Sequence, residues 1–115
     1  MVRQMKPDID EIIEHTIEVS ENNDISVDKI ILFGSILTNK FTDESDIDII
    51  LVSLDFESID YHQRTVDIIW DWDREYGIPD IIPLTPDEFN AKSNDSDDVV
   101  FTAIDTGEVY DEFDL

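Results

Sequence analysis

Four pairs of aspartates in this 115-residue chain stand two positions apart, at 8/10, 46/48, 71/73 and 95/97. With twenty Asp in the chain, about three such pairs arise by chance, so the spacing alone decides nothing. Context separates one pair from the others. Asp46 and Asp48 open an apolar run, DIDIILVS at 46–53. Residues i and i+2 of a strand project from one face, so these carboxylates sit side by side while Ile47, Ile49 and Leu51 anchor the other face. Two carboxylates held together repel unless a cation lies between them. Mg²⁺ (or Mn²⁺) suits such a place, because it takes oxygen ligands and leaves room for water and a substrate phosphate. The pairs at 8/10 and 71/73 fall in helical patterns, where i and i+2 diverge, and the pair at 95/97 falls in polar loop.

A second feature lies upstream. The apolar, β-branched run at 28–33 ends directly in Gly34-Ser35. A glycine there lets the backbone turn sharply and lets another group come close. Its N–H and the serine hydroxyl can cradle phosphate oxygens. A glycine after a strand is usually only a turn; its pairing with Asp46 and Asp48 is what gives it functional weight, provided the two strands are neighbours.

The elements that must position these residues are legible as patterns. Ile9, Ile12, Ile13, Thr16 and Ile17 recur at helical spacing, so residues 8–21 are expected to form an amphipathic helix opened by Pro7 and early acids. Strands are expected at 28–33, 46–53 and 79–84. A connector at 35–45 has room for a short helix. A long helix is expected over 57–76, stopped by Gly77 and Pro79. Thr85-Pro86-Asp87-Glu88 reads as a capping box opening a short helix. A last helix is expected at 97–106, closed by Gly107, with Val109-Tyr110 as an edge strand. The order describes one α/β (α+β) domain over 1–115, a small mixed β-sheet with helices packed on it.

The composition narrows the class. Thirty acidic residues against seven Lys and Arg give a formal net charge of −23, with 41% apolar residues. The apolar residues cluster in blocks, which argues against disorder. Charge of this size destabilises a compact state in dilute buffer and is screened in molar salt, as in the cytoplasm of a halophilic archaeon. It also counts against duplex DNA or RNA as a partner. There is no cysteine, which excludes disulfides and thiolate zinc sites. No apolar run approaches the length that spans a bilayer, and no signal peptide is evident, so the expected location is cytoplasmic, with no membrane partner.

Residues 31–52, ILFGSILTNKFTDESDIDIILV, resemble the signature of the DNA polymerase β-like nucleotidyltransferase superfamily: an apolar strand, Gly-Ser, about ten residues, then Asp-x-Asp in a second apolar strand. The size and order of elements resemble its minimal members, the stand-alone antitoxins encoded beside a HEPN-domain toxin. The resemblance implies a nucleotidyltransferase fold in which Gly34 and Ser35 hold a nucleoside triphosphate, with ATP the expected one. It implies that Asp46, Asp48 and Asp80 together hold the metal, with Asp80 the third carboxylate, nearest the attacking hydroxyl. The implied reaction moves a nucleoside monophosphate, AMP for ATP, to a hydroxyl acceptor such as a tyrosine of a HEPN partner. One departure stands out. Family members commonly carry an Arg shortly after the Gly-Ser, whereas here Lys40 is the only cation between Leu37 and Ser45 and is expected to serve as the nucleotide-binding cation beside Gly34 and Ser35. The alternative is therefore a catalytically weak member that neutralises its partner by binding alone.

Other residues invite functional readings. His15 and His62 read as plain helix positions, His15 facing solvent. The 57–76 segment carries more apolar circumference than one contact needs: either both faces are buried within the domain, or Tyr61, Ile68 and Trp72 meet a second chain, a partner or another copy. Asp111, Glu112 and Asp114 read as solvated charge.

Overall fold

The computed structural model describes residues 7–111. The first helix, α1 (Ile9–Asn22), begins at Asp8, whose side chain accepts from the backbone N–H groups of Asp10 and Glu11. Strands β1 (Lys29–Phe33) and β2 (Asp46–Val52) follow, joined by a 3-10 turn at Gly34–Leu37. Then come a short helix α2 (Val66–Asp71), strand β3 (Ile78–Leu84), helices α3 (Pro86–Ser93) and α4 (Val99–Thr106), and strand β4 (Glu108–Asp111).

The four strands form one mixed sheet in the order β3-β2-β1-β4. β1 runs antiparallel to both β2 and β4, and β2 runs parallel to β3. β3 lies at an edge, which accommodates Pro79 and Pro83 without removing a central ladder bond. Among the described residues no helix is long and apolar enough to cross a membrane.

The alternation of β1 and β2 sorts their side chains onto two apolar faces. Ile30, Leu32, Ile47, Ile49 and Leu51 pack beneath α1 with Phe56, Ile68 and Trp72. Ile31, Ile50, Val52 and Leu84 pack beneath α3 and α4 through Phe89, Val100 and Ala103. Each fully buried aliphatic or aromatic side chain is worth about 1.5–3 kcal/mol relative to exposure, so both faces hold the sheet. Asp46 and Asp48 lie on the α3/α4 face, in line with Ile50 and Val52, at the end where that cover runs out.

Three expectations need correction. The 57–76 segment is not one helix: it breaks into 3-10 turns at Leu54–Ser58, Tyr61–Gln63 and Arg74–Tyr76 around the six-residue α2. The cause is competition for backbone groups. Ser53 and Asp73 side chains accept the N–H groups of Asp55 and Glu75. The Arg64 guanidinium donates to the Ile59 carbonyl at 3.0 Å, which a continuous helix would offer to Gln63, and Gln63 bonds Asp60 instead.

The buried stripe of α1 is Ile12, His15, Thr16, Val19 and Ser20, so His15 faces inward rather than toward solvent. The chain at 72–77 folds back over the helix and covers it. His15 stacks on Tyr76 at 4.4 Å, meets Trp72 edge-on at 4.6 Å, and its Nε2 accepts the Asp73 N–H at 3.0 Å. The third correction concerns Asp111, which is not free charge: it pairs with Lys29 of the neighbouring strand at 3.6 Å. Glu112 and Asp114 lie outside the described residues.

The capping box forms as expected. Thr85 Oγ1 accepts from Glu88 N, and Glu88 Oε1 accepts from Thr85 N. Glu88 has a further role that the capping pattern did not suggest. It receives Arg64 Nη1 at 2.7 Å, while the same guanidinium donates to the Pro83 carbonyl on the outer side of β3. The Arg64 hydrogen bond holds the Glu88 carboxyl below its ordinary range.

Candidate active site

The site begins with a backbone constraint. Gly34 has φ +80, a left-handed conformation that side-chain-bearing residues rarely adopt. A Cβ placed there would collide with Oδ2 of Asp48. The glycine thus serves two ends: it turns the chain out of β1, and it leaves the space that the Asp48 carboxylate fills. Register explains the meeting, because Phe33, the last residue of β1, pairs with Asp48. Ile36, fully buried, anchors the turn from below, and Ser35 is half-buried within it.

The third carboxylate arrives from β3. Asp48 and Asp80 are direct partners in the parallel ladder, and Asp46 lies two residues before Asp48 on the same face. Asp46 and Asp80 are exposed, and Asp48 is half-buried between them. Burial pushes the Asp48 carboxyl above its ordinary 3.8, the charges of Asp80 and then Asp46 push it further, and a hydrogen bond with Asp80 adds to the rise. Like charges crowded in this way are relieved when a cation lies among them.

Among the described residues no group of three or more Asp, Glu or His side chains is placed so as to hold a metal ion by itself. Mg²⁺ does not require such a group. It is commonly held by one or two carboxylates, with water and substrate phosphate completing its shell. Asp46 and Asp48, hard oxygen donors crowded on one face and open to solvent, fit that manner of binding.

Among the described residues Lys40 makes no ion pair, so it is not joined to the three aspartates; it stands exposed on the connector between Leu37 and Asp46. Of the expected interface residues, Tyr61 is 47% exposed, but Ile68 and Trp72 are 1% and 5% exposed and belong to the core under α1. They cannot meet a second chain. The outward face of α2 is instead Val66, Ile69 and Trp70, with Trp70 86% exposed. Sequence reasoning also missed Arg64. A lone cation in an acid-rich stretch was the available signal, and nothing local showed that it would be buried.

The profile of the nucleotidyltransferase domain matches residues 12–106, which includes all of these groups. The chain belongs to the nucleotidyltransferase-domain family. A crystal structure of a candidate nucleotidyltransferase from Sulfolobus solfataricus is 26% identical, with a TM-score of 0.49 over 70% of this chain and 67% of that one. No protein of curated function matches the chain. Within this nucleotidyltransferase domain, the Gly-Ser turn and the carboxylates at 46, 48 and 80 are brought to one end of the sheet by three adjacent strands.

Proposed function

We propose that this chain is a Mg²⁺-dependent nucleotidyltransferase that moves a nucleoside monophosphate, AMP from ATP, to a hydroxyl acceptor. The observation that carries this reading is the crowding of Asp48 against Asp80 and Asp46 directly over Gly34. When bound, the divalent ion (Mg²⁺ or Mn²⁺) neutralises phosphate charge and polarises the phosphorus–oxygen bonds. Asp46 and Asp48 would hold it. The Gly34 N–H and the Ser35 hydroxyl orient the triphosphate, as backbone turns of this kind do for anions. Asp80 accepts the proton of the acceptor hydroxyl. The acceptor oxygen bonds to the α-phosphorus as the bond to pyrophosphate breaks, in line.

The acceptor we propose is a tyrosine of a HEPN-domain partner, in an antitoxin-like role. The exposed apolar face of α2 supports contact with a partner or with a second copy. The net charge of −23 supports a salt-loaded, halophilic cytoplasm as the setting. A second reading, neutralisation by binding alone, is favoured by one observation: the connector's single cation, Lys40, is exposed and makes no ion pair among the described residues.

The two readings part in one experiment. The protein is incubated in molar KCl with Mg²⁺, labelled ATP and the HEPN partner. The enzyme reading expects label on the partner, lost in Asp46→Asn and Asp48→Asn. Partner binding without any binding of Mg-ATP by wild type would sink it in favour of the second reading.

A further inference from the structure

A cavity of about 440 Å³ opens beside β3, outside the triad of aspartates. Its floor is Ile82, Leu84 and Val100, and one wall is the ring of Tyr61. Along β3 the alternate residues Asp80, Ile82 and Leu84 share a face, so the floor begins roughly 7 Å from Asp80, one strand repeat further on. The Tyr61 ring is fixed from one side by the Arg64 guanidinium at 5.4 Å, which is itself tied to Pro83 and Glu88. A flat group entering the cavity therefore meets a ring already held in place, which lowers the entropy cost of stacking.

The position of this cavity has a stereochemical meaning. Gly34, in the turn that follows β1, and Asp80 on β3 flank Asp48 from opposite sides. In an in-line displacement the entering and leaving oxygens lie on opposite sides of phosphorus. If pyrophosphate leaves toward Gly34 and Ser35, the hydroxyl enters from the β3 side, where the cavity lies.

We infer that the cavity bounded by Tyr61, Ile82 and Asp97 is the acceptor subsite, and that it takes a hydroxylated aromatic ring carrying a positive charge. This rests on the nucleotidyl-transfer reading above. The ring is selected by the apolar floor and the Tyr61 platform. The charge follows from the rim. Glu88 is engaged by Arg64, and Asp98 caps α4 and meets Lys92 at 3.4 Å. Asp97 is exposed at the rim, and among the described residues its carboxylate makes no ion pair. A polyanionic acceptor, such as the end of an RNA, would meet this carboxylate and the charge of the whole chain. In the transfer the phenolic oxygen bonds to the α-phosphorus, the electron pair of the broken bond leaves with pyrophosphate, and the phenolic proton passes to Asp80.

Tyramine, 4-hydroxyphenylacetate and a short oligoribonucleotide with a free 3′ hydroxyl serve as probes. Transfer of labelled AMP is measured with each, and tyramine binding is followed separately by NMR without nucleotide. Tyramine should be the preferred acceptor. Tyr61→Ala should raise its KM about tenfold while the Kd of Mg-ATP stays unchanged, and Tyr61→Phe should behave as wild type. Asp97→Lys should shift preference toward 4-hydroxyphenylacetate. The proposal is overturned if Tyr61→Ala weakens Mg-ATP instead, which would place the nucleobase in the cavity, or if the oligoribonucleotide is preferred. Should wild type bind no Mg-ATP, the transfer reading fails on its own; tyramine binding lost in Tyr61→Ala would still support the ligand class, and no tyramine binding would overturn it.

Discussion

At the scale of single residues, Asp48 sits where folding opposes its charge. Its carboxyl is raised above 3.8 by burial and by two like charges. A raised carboxyl leaves stability intact below the unfolded value and removes it as pH climbs through the folded value. In metal-free buffer, Asp48→Asn should therefore be more stable than wild type at neutral pH, with the gain shrinking as pH falls toward 4. Mg²⁺ should raise the melting temperature of wild type and leave Asp48→Asn unmoved. Thermal melts across pH, with and without Mg²⁺, check both statements. Gly34→Ala tests the neighbouring constraint. Its Cβ needs the space of Asp48 Oδ2, and its backbone must hold φ +80. The expected cost is about 1–3 kcal/mol in urea unfolding, and nucleotidyl transfer should fall on the order of a hundredfold.

Among the elements, the segment between β2 and β3 shows how packing overrides a helical pattern. Apolar residues at 59–72 recur at a spacing that suits a helix, but Ser53, Asp73 and Arg64 side chains occupy the backbone groups that a continuous helix requires. The segment becomes short turns pinned to the outer edge of β3. That arrangement sends Trp72 into the core, where its Nε1 donates to the Gly77 carbonyl, and leaves Trp70 in solvent. Trp72→Ala should cost about 3–5 kcal/mol, whereas Trp70→Ala should change stability by no more than about 0.5 kcal/mol. Chemical denaturation measures the two costs, and acrylamide quenching of each single-Trp variant should reach Trp70 and spare Trp72.

For the molecule as a whole, charge dominates. A surface carrying −23 repels itself, and the described residues contain few ion pairs to offset it: Lys29–Asp111, Arg64–Glu88 and Lys92–Asp98, with His15 near Glu18. Raising salt from about 0.1 M to about 1 M shortens the Debye length from about 10 Å to about 3 Å. The melting temperature should rise steadily over that range in KCl. A flat profile would mean that the acidic residues are spaced widely enough for repulsion to be negligible. NaCl should match KCl if screening is the whole cause.

Much of the site was legible because its signals are local. Period-2 alternation placed Asp46 and Asp48 on one face, a glycine after an apolar strand marked the turn, and the cap chemistry of Thr85 and Glu88 opened α3 at the right residue. What local patterns left open depends on which distant segments meet, and Asp80 entered the expected site only through the family resemblance. The parallel register of β2 and β3 puts Asp80 beside Asp48, and the antiparallel register of β1 and β2 puts Asp48 over Gly34. The fold-back at 72–77 buries His15, and the edge of β3 recruits Arg64. A pattern along the chain reports the faces of an element. Only the assembled structure decides what each face touches, because burial and pairing are properties of neighbours brought together across many residues of sequence.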